Sequence, residues 1–314
     1  MALLPAVIHV SAAHAQWSPA RSIRFIVPYS TGSATDTVAR TVGQRLSEGL
    51  KQPVVVENLP GANGIPGTDS LARADRDGHT LGVIAANHVV TPALYAKLPY
   101  DTIRDFTPVT IIGAVPFMMV VHPSVPAASV QELIALAKQR PRQLFYASAG
   151  NGSPPHLAGE LLKAMTGIEI VHVPYKGLAP GLTDLVGGQV SLMFPAISAA
   201  LPHVKVGRLR PLAVTSLKRS PAAAELPTMD ESGLGGYEIY SWIGILGPAG
   251  LPRETVARLH AEVSHVLQLS EVRQRFAGLG IDVIGNTPEQ FSQIMRDDLE
   301  KFGKLVKASG AKVD

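Results

Sequence analysis

The stretch Pro28-Tyr29-Ser30-Thr31-Gly32-Ser33-Ala34-Thr35-Asp36 sets small residues, hydroxyls and one glycine along a turn from an apolar run into a helical pattern. At such a helix start backbone N–H groups converge, the helix dipole favours negative charge, and Ser and Thr hydroxyls add donors. The chemistry that suits these residues is the holding of an anion such as a carboxylate. The same residues also make an ordinary helix start, with Ser33 or Thr35 as cap and Asp36 in the first turn. A second stretch, Ser148-Ala149-Gly150-Asn151-Gly152-Ser153-Pro154-Pro155-His156, has the same character. Its glycines allow close backbone approach, Ser148 and Asn151 offer donors, and Pro155 suits an early helical position. In a third, Val173-Pro174-Tyr175-Lys176-Gly177, Tyr175 can wall a ligand and Lys176 can supply a cation; a plain Pro-x-x-Gly turn is the alternative. Asn87, after another apolar run, is a further polar candidate.

None of these stretches carries a catalyst's signature. Gly150-Asn151-Gly152-Ser153 lacks the G-x-S-x-G spacing of a nucleophile elbow. Gly61-Ala62-Asn63-Gly64-Ile65-Pro66-Gly67-Thr68 has no lysine for a phosphate loop, so its glycines read as a tight turn. His260 and His265 miss the H-E-x-x-H spacing, and no metal site is expected. His156 reads as a helix-surface or supporting residue, and His172 as a strand residue with a satisfied side chain. The acidic pairs Asp75/Asp77 and Asp297/Asp298 read as solvated. Three such loops without a convergent nucleophile and base describe a binding cleft, not an enzyme, and no cofactor is expected.

Composition agrees. With 46% hydrophobic residues, 17% charged and no cysteine in 314 residues, the chain buries large cores and has no disulfides, thiolate metal sites or cysteine nucleophile. Lys and Arg number 28 against 25 Asp and Glu, a net charge of +3 spread without a basic stripe, so no nucleic-acid partner is expected. Residues 1–15 hold no Lys, Arg, Asp or Glu and end in Ala13-His14-Ala15, which reads as the end of a secretory signal peptide lacking its basic start. The apolar run is too short to span a bilayer, which takes about 20 residues.

The elements that must position these loops alternate. Strands are expected over 23–27, 53–57, 81–85, 106–115, 117–122, 144–147, 170–173, 190–194, 211–215, 240–246 and 281–284. Helices are expected over 35–50, 65–74, 129–139, 155–166, 180–186, 196–206, 253–269, 271–279 and 288–308. This is the rhythm of βαβ units, restarted once. The extended runs near 117–122 and 240–246 would carry the chain out to a second lobe and back, giving lobe 1 as 16–119 with 243–314, and lobe 2 as 120–242. The C-terminal helices would complete lobe 1, each lobe with its own hydrophobic core. Ligands of open parallel sheets sit at the carboxyl ends of strands, where all three loops fall.

In sequence the chain resembles the Bug/TctC family of extracytoplasmic solute receptors. The matching stretches include VPYSTGSATDTVAR (27–40), VVVENLPGANGIPGT (54–68), TPALYAKLPYD (91–101), SAGNGSPPHLAGEL (148–161), VPYKG (173–177) and LVGGQVSLMF (185–194). The resemblance implies an α/β, two-lobed Venus-flytrap periplasmic binding protein of type II. Two mixed sheets flanked by helices and a double hinge crossover are expected, in a monomer. It implies a small carboxylate ligand, dicarboxylate or aromatic or amino acid, delivered to the permease subunits of a tripartite tricarboxylate transporter; a sensor kinase is the alternative partner. Ligand contacts are expected from Tyr29, Ser33, Ala34, Thr35, Asp36 and Asn87 of lobe 1 and Ser148, Asn151 and Tyr175 of lobe 2, with Asp36 organising its loop. Two positions depart from the family pattern: Ser33 replaces the second glycine of a Gly-Gly pair, and Pro195 replaces an aspartate, both expected at the cleft.

Overall fold

The computed structural model describes residues 17–310; the expected signal segment, 1–15, lies outside them. The chain opens with β1 (Ile23–Val27), α1 (Ala34–Leu50), β2 (Val54–Asn58), α2 (Ile65–Ala72), β3 (Thr80–Ala85), α3 (Asn87–Leu94) and β4 (Phe106–Pro116). It passes into β5 (Met118–Val121), α4 (Val130–Gln139), β6 (Phe145–Ser148), α5 (Pro154–Thr166), β7 (Val171–Pro174), α6 (Leu178–Val186), β8 (Leu192–Met193), α7 (Ile197–Lys205) and β9 (Arg210–Val214). It then returns through β10 (Tyr240–Pro248), α8 (Arg253–Gln268), α9 (Ser270–Gly278), β11 (Asp282–Val283) and α10 (Pro288–Ser309).

Two mixed sheets result, ordered β11-β4-β10-β3-β1-β2 and β7-β6-β8-β5-β9. In the first, β1 lies parallel between β2 and β3, while β10 runs antiparallel to β3 and β4. β1 is almost wholly buried because helices cover both faces, which is why Ile23, Phe25, Ile26 and Val27 are apolar and only Arg24 of the strand is partly exposed. α1 buries one stripe, Val38, Val42, Leu46 and Leu50, each worth roughly 1.5–3 kcal/mol when fully removed from water. It ends at Lys51, whose φ of 54° closes the helix in the left-handed region.

The two crossings between sheets are tied together. Tyr240 pairs with Pro116, so β10 and β4 stay hydrogen-bonded up to the junction. Beyond it, the fully buried Thr215 serves both crossings. Its Oγ1 accepts the Phe117 N–H at 3.1 Å and donates to the Ile239 carbonyl at 2.6 Å.

Three expectations change here. Residues 87–94 form a helix, α3, where the sequence predicts none: Pro92 falls inside it and masks the pattern. Each lobe has an apolar cluster of its own, but a third is shared between them: it runs from Ile26 and Val89 of the first sheet's layer through Trp242 and Phe291 to Tyr146 and Leu157 of the second. α10 packs on α3 and also on α5 of the other lobe. Asp298, read as solvated, is buried within this seam; it accepts the Trp242 indole N–H at 3.0 Å and pairs with Lys301 at 3.0 Å.

Candidate ligand-binding site

The loop after β1 is built around Asp36. Its Oδ2 accepts the Gly32 N–H at 2.9 Å and the Arg40 Nε–H at 3.1 Å, while Oδ1 accepts Asn58 Nδ2 at 3.0 Å and faces Arg40 at 3.0 Å. Burial works against the carboxylate charge, but Arg40, Gly32 and Asn58 together outweigh it and hold the carboxyl below its usual range. With every oxygen engaged inward, Asp36 shapes the loop and leaves no lone pair to face a ligand.

Ser33 caps α1, its Oγ accepting the Asp36 N–H at 3.2 Å, and its carbonyl accepts the Thr37 N–H at 2.9 Å. The next two amides, Ala34 and Thr35, belong to the helix's first turn and have no intrahelical acceptor. Ala34 is exposed and Thr35 buried. The opening of α1 therefore presents two N–H donors at the positive end of a 17-residue dipole.

Tyr29 joins this loop to α3. Its hydroxyl accepts the Ala85 N–H at 3.1 Å and donates to Asn87 Oδ1. Burial pushes the phenol's pKa well up, so it stays a neutral donor. Asn87, expected in a loop, is the first residue of α3, and its Nδ2 donates to the Asn63 carbonyl at 2.9 Å. Asn58 closes the ring by donating to the Tyr29 carbonyl at 3.0 Å. Tyr29, Asp36 and Asn87 thus share one network with Asn58, Asn63 and Arg40, which the sequence reading passed over. The signal for Asn58 was present: it ends the strand beside β1, paired with Val27, at the same edge of the sheet. Asn63 does sit in the turn expected of its neighbouring glycines, at φ 55°, and that turn aims its carbonyl at Asn87.

In the second lobe, Ser148 ends β6 fully buried. Its Oγ accepts the Gly150 N–H at 3.1 Å and lies 2.6 Å from His172 Nε2. Asn151 stands exposed at the tip, between Gly150 at φ 114° and Gly152 at φ 73°, both in the left-handed region that favours glycine. Tyr175 N–H donates to the Ser148 carbonyl at 3.1 Å, joining the two loops. Its hydroxyl turns to Asp184 Oδ2 at 2.7 Å, so the ring, not the hydroxyl, is what the loop can offer. Burial and Asp184 push this phenol up to about 12. Lys176 is exposed.

Two further residues brace the backbone. Of the two roles expected for His156 the structure shows the supporting one: it is buried, with Nδ1 accepting the Gly152 N–H at 3.1 Å. Pro195 is also buried, and its carbonyl accepts the Met118 N–H at 2.9 Å, so its backbone braces the outward crossing.

The lobes meet through α3. Asn87 at its start touches Tyr29, and Leu94 at its end lies against Gly152, where a Cβ would stand 2.6 Å from Leu94 Cδ1. A separate cavity of about 420 Å³ lies between α7 and α9, lined by Ser198, Leu201, Lys205, Ala222, Ala277 and Gly280. It shares no residue with these loops and falls beside β9 and β11, the sheet edges away from β1 and β6. Among the described residues no cluster of His, Cys, Asp and Glu could hold a metal ion, and no helix is long and apolar enough to cross a membrane.

Comparison with known proteins places this geometry. Residues 38–311 match the sequence profile of the tripartite tricarboxylate transporter family receptor, TctC. Protein BugT of Bordetella pertussis is 35% identical over 297 residues, covering 94% of this chain and 91% of BugT. The structure of R. palustris Rpa4515 with adipate is 38% identical and superposes with a TM-score of 0.76, covering 94% of this chain and 99% of that one. MatC from Rhodopseudomonas palustris with bound malate is 32% identical with a TM-score of 0.72, covering 92% of this chain and 99% of MatC. The chain belongs to the TctC family of tripartite tricarboxylate transporter receptors, of which the Bug proteins are members.

Proposed function

We propose that this protein is a periplasmic receptor that captures a small dicarboxylate between its lobes and hands it to the membrane subunits of a tripartite transporter. The observation that carries the reading is the pair of N–H groups, Ala34 and Thr35, at the start of α1, which have no acceptor among the described residues. They stand on a loop that Asp36 has already stiffened. One carboxylate of the ligand would lie on these amides. The second lobe would offer the Asn151 amide and the Tyr175 ring to the remainder.

Adipate and malate, named with two structures similar to this chain, are both dicarboxylates, which supports that class. No step of bond chemistry is needed: capture requires only contacts that are stronger when the lobes are closed. A thermal-shift screen over mono- and dicarboxylates tests the reading. A true ligand at 100 times its Kd stabilises the fold by about 2.7 kcal/mol. Dicarboxylates should raise the melting temperature while neutral sugars leave it unchanged; a response to sugars and to no acid contradicts the reading.

A further inference from the structure

The loop that carries Asn151 is tied down by histidines at both ends. Gly152 N–H donates to His156 Nδ1 at 3.1 Å, and His172 Nε2 lies 2.6 Å from Ser148 Oγ. The two imidazoles stack with centroids 4.2 Å apart, and Tyr146 stacks on His172 at 4.9 Å. A ring nitrogen that accepts a backbone N–H carries no proton, so His156 is neutral with its proton on Nε2. The groups around it are Glu160 and Lys163 on its own helix, Tyr146 on β6 and His172 on β7. Glu160 Oε1 lies 3.9 Å from His156 Nε2 and is already engaged, accepting the Tyr146 hydroxyl at 2.5 Å and Lys163 Nζ at 2.8 Å. The tied residue, Gly152, is also the one that rests on Leu94 of the opposite lobe.

We propose that His156 is a positioning residue for ligand capture: its neutral imidazole holds the 150–153 loop against α3 through the Gly152 N–H, and a proton on Nδ1 releases the loop and weakens the grip on the carboxylate. The ligand half of this statement rests on the function proposed above; the loop half does not. The two histidines differ in what a proton does. A proton on His156 Nδ1 meets the Gly152 N–H donor to donor, so that bond cannot survive. His172 when charged can still donate from Nε2 to the Ser148 hydroxyl, so its end of the loop stays tied. Burial, opposed by Glu160 and aided by Lys163, lowers the His156 pKa, which keeps the loop held through the neutral range.

The test is an NMR titration of the full chain, following the Gly152 amide and the His156 ring. In the wild type the Gly152 amide should shift and lose exchange protection in step with the His156 titration. Asn places an amide oxygen where Nδ1 stands but does not titrate. His156→Asn should therefore keep Gly152 protected and flatten its pH profile. His156→Leu should speed Gly152 exchange by about tenfold at pH values where the wild-type imidazole is neutral, the weight of one ordinary hydrogen bond, and should converge with the wild type once His156 is charged. Adipate titrations of the same proteins should follow the same order, with the acid loss of affinity absent from His156→Asn. A Gly152 amide indifferent to His156, or an acid loss that persists in His156→Asn, overturns the proposal. If no carboxylate binds although Gly152 follows His156, the function proposed above fails while the loop mechanism stands.

Discussion

At the scale of single residues, the account depends on side chains that hold backbone in place. Asp36→Asn removes the charge that Arg40 and the Gly32 N–H answer, and one oxygen becomes a donor facing donors. Carboxylate affinity should fall by at least about tenfold, measured calorimetrically, which corresponds to about 1.4 kcal/mol. Because the Asp36 carboxyl is held below its usual value, its contribution to stability is present above the unfolded carboxylate range, near 3.9, and is lost as pH falls through the folded value. The His172 pKa is pushed down to about 4 by burial and by His156. Its neutral form therefore favours folding above about 6.5, and this contribution fades between there and about 4. Thermal melts from pH 7 to 4 should show a decline that His172→Asn reduces. Little of this was legible in the sequence. A buried histidine and an exposed one are written with the same letter, and the apolar neighbours of His156 at 155, 157 and 158 could equally have faced a helix neighbour.

Elements position these residues, and α1 is the clearest case. Ser33 followed by Asp36 and the stripe Val38, Val42, Leu46 announced both the cap and the buried face, because capping and helical period are local rules. α3 was not announced. Pro92 breaks the pattern, and what stabilises the segment is packing against α10, far away in sequence. The Tyr29–Asn87 contact was hidden for the same reason. Ala34→Pro gives an element-scale prediction. Proline is tolerated at the first helical position, and Ser33 already has the extended conformation that a following proline requires. The variant should melt within about 0.5 kcal/mol of the wild type. It should also bind carboxylate about 10- to 100-fold more weakly, having lost one N–H to a charged acceptor, worth about 1.5–3 kcal/mol. Unchanged affinity would show that the ligand does not use this helix start.

For the whole molecule, the two sheets and the two crossings followed from counting βαβ units and noting where the extended runs interrupted them. The seam between lobes did not follow, since Thr215 reaches Phe117 and Trp242 reaches Asp298 only in three dimensions. Thr215→Val keeps the shape of the side chain but leaves the Phe117 N–H without its hydroxyl acceptor and the Ile239 carbonyl without its donor. The expected cost is about 1–3 kcal/mol for each buried group left unpaired, read from denaturant unfolding. An effect near zero would mean that the crossings are held by β4–β10 pairing alone. The central claim, a carboxylate held on the opening of α1 between the lobes, is tested most directly by a crystal structure grown with a saturating dicarboxylate. We predict a carboxylate oxygen within hydrogen-bond distance of the Ala34 and Thr35 amides, with the Gly150–Ser153 loop closed over the other end. A carboxylate found in the cavity beside Lys205, with the Ala34 and Thr35 amides facing water, would contradict it.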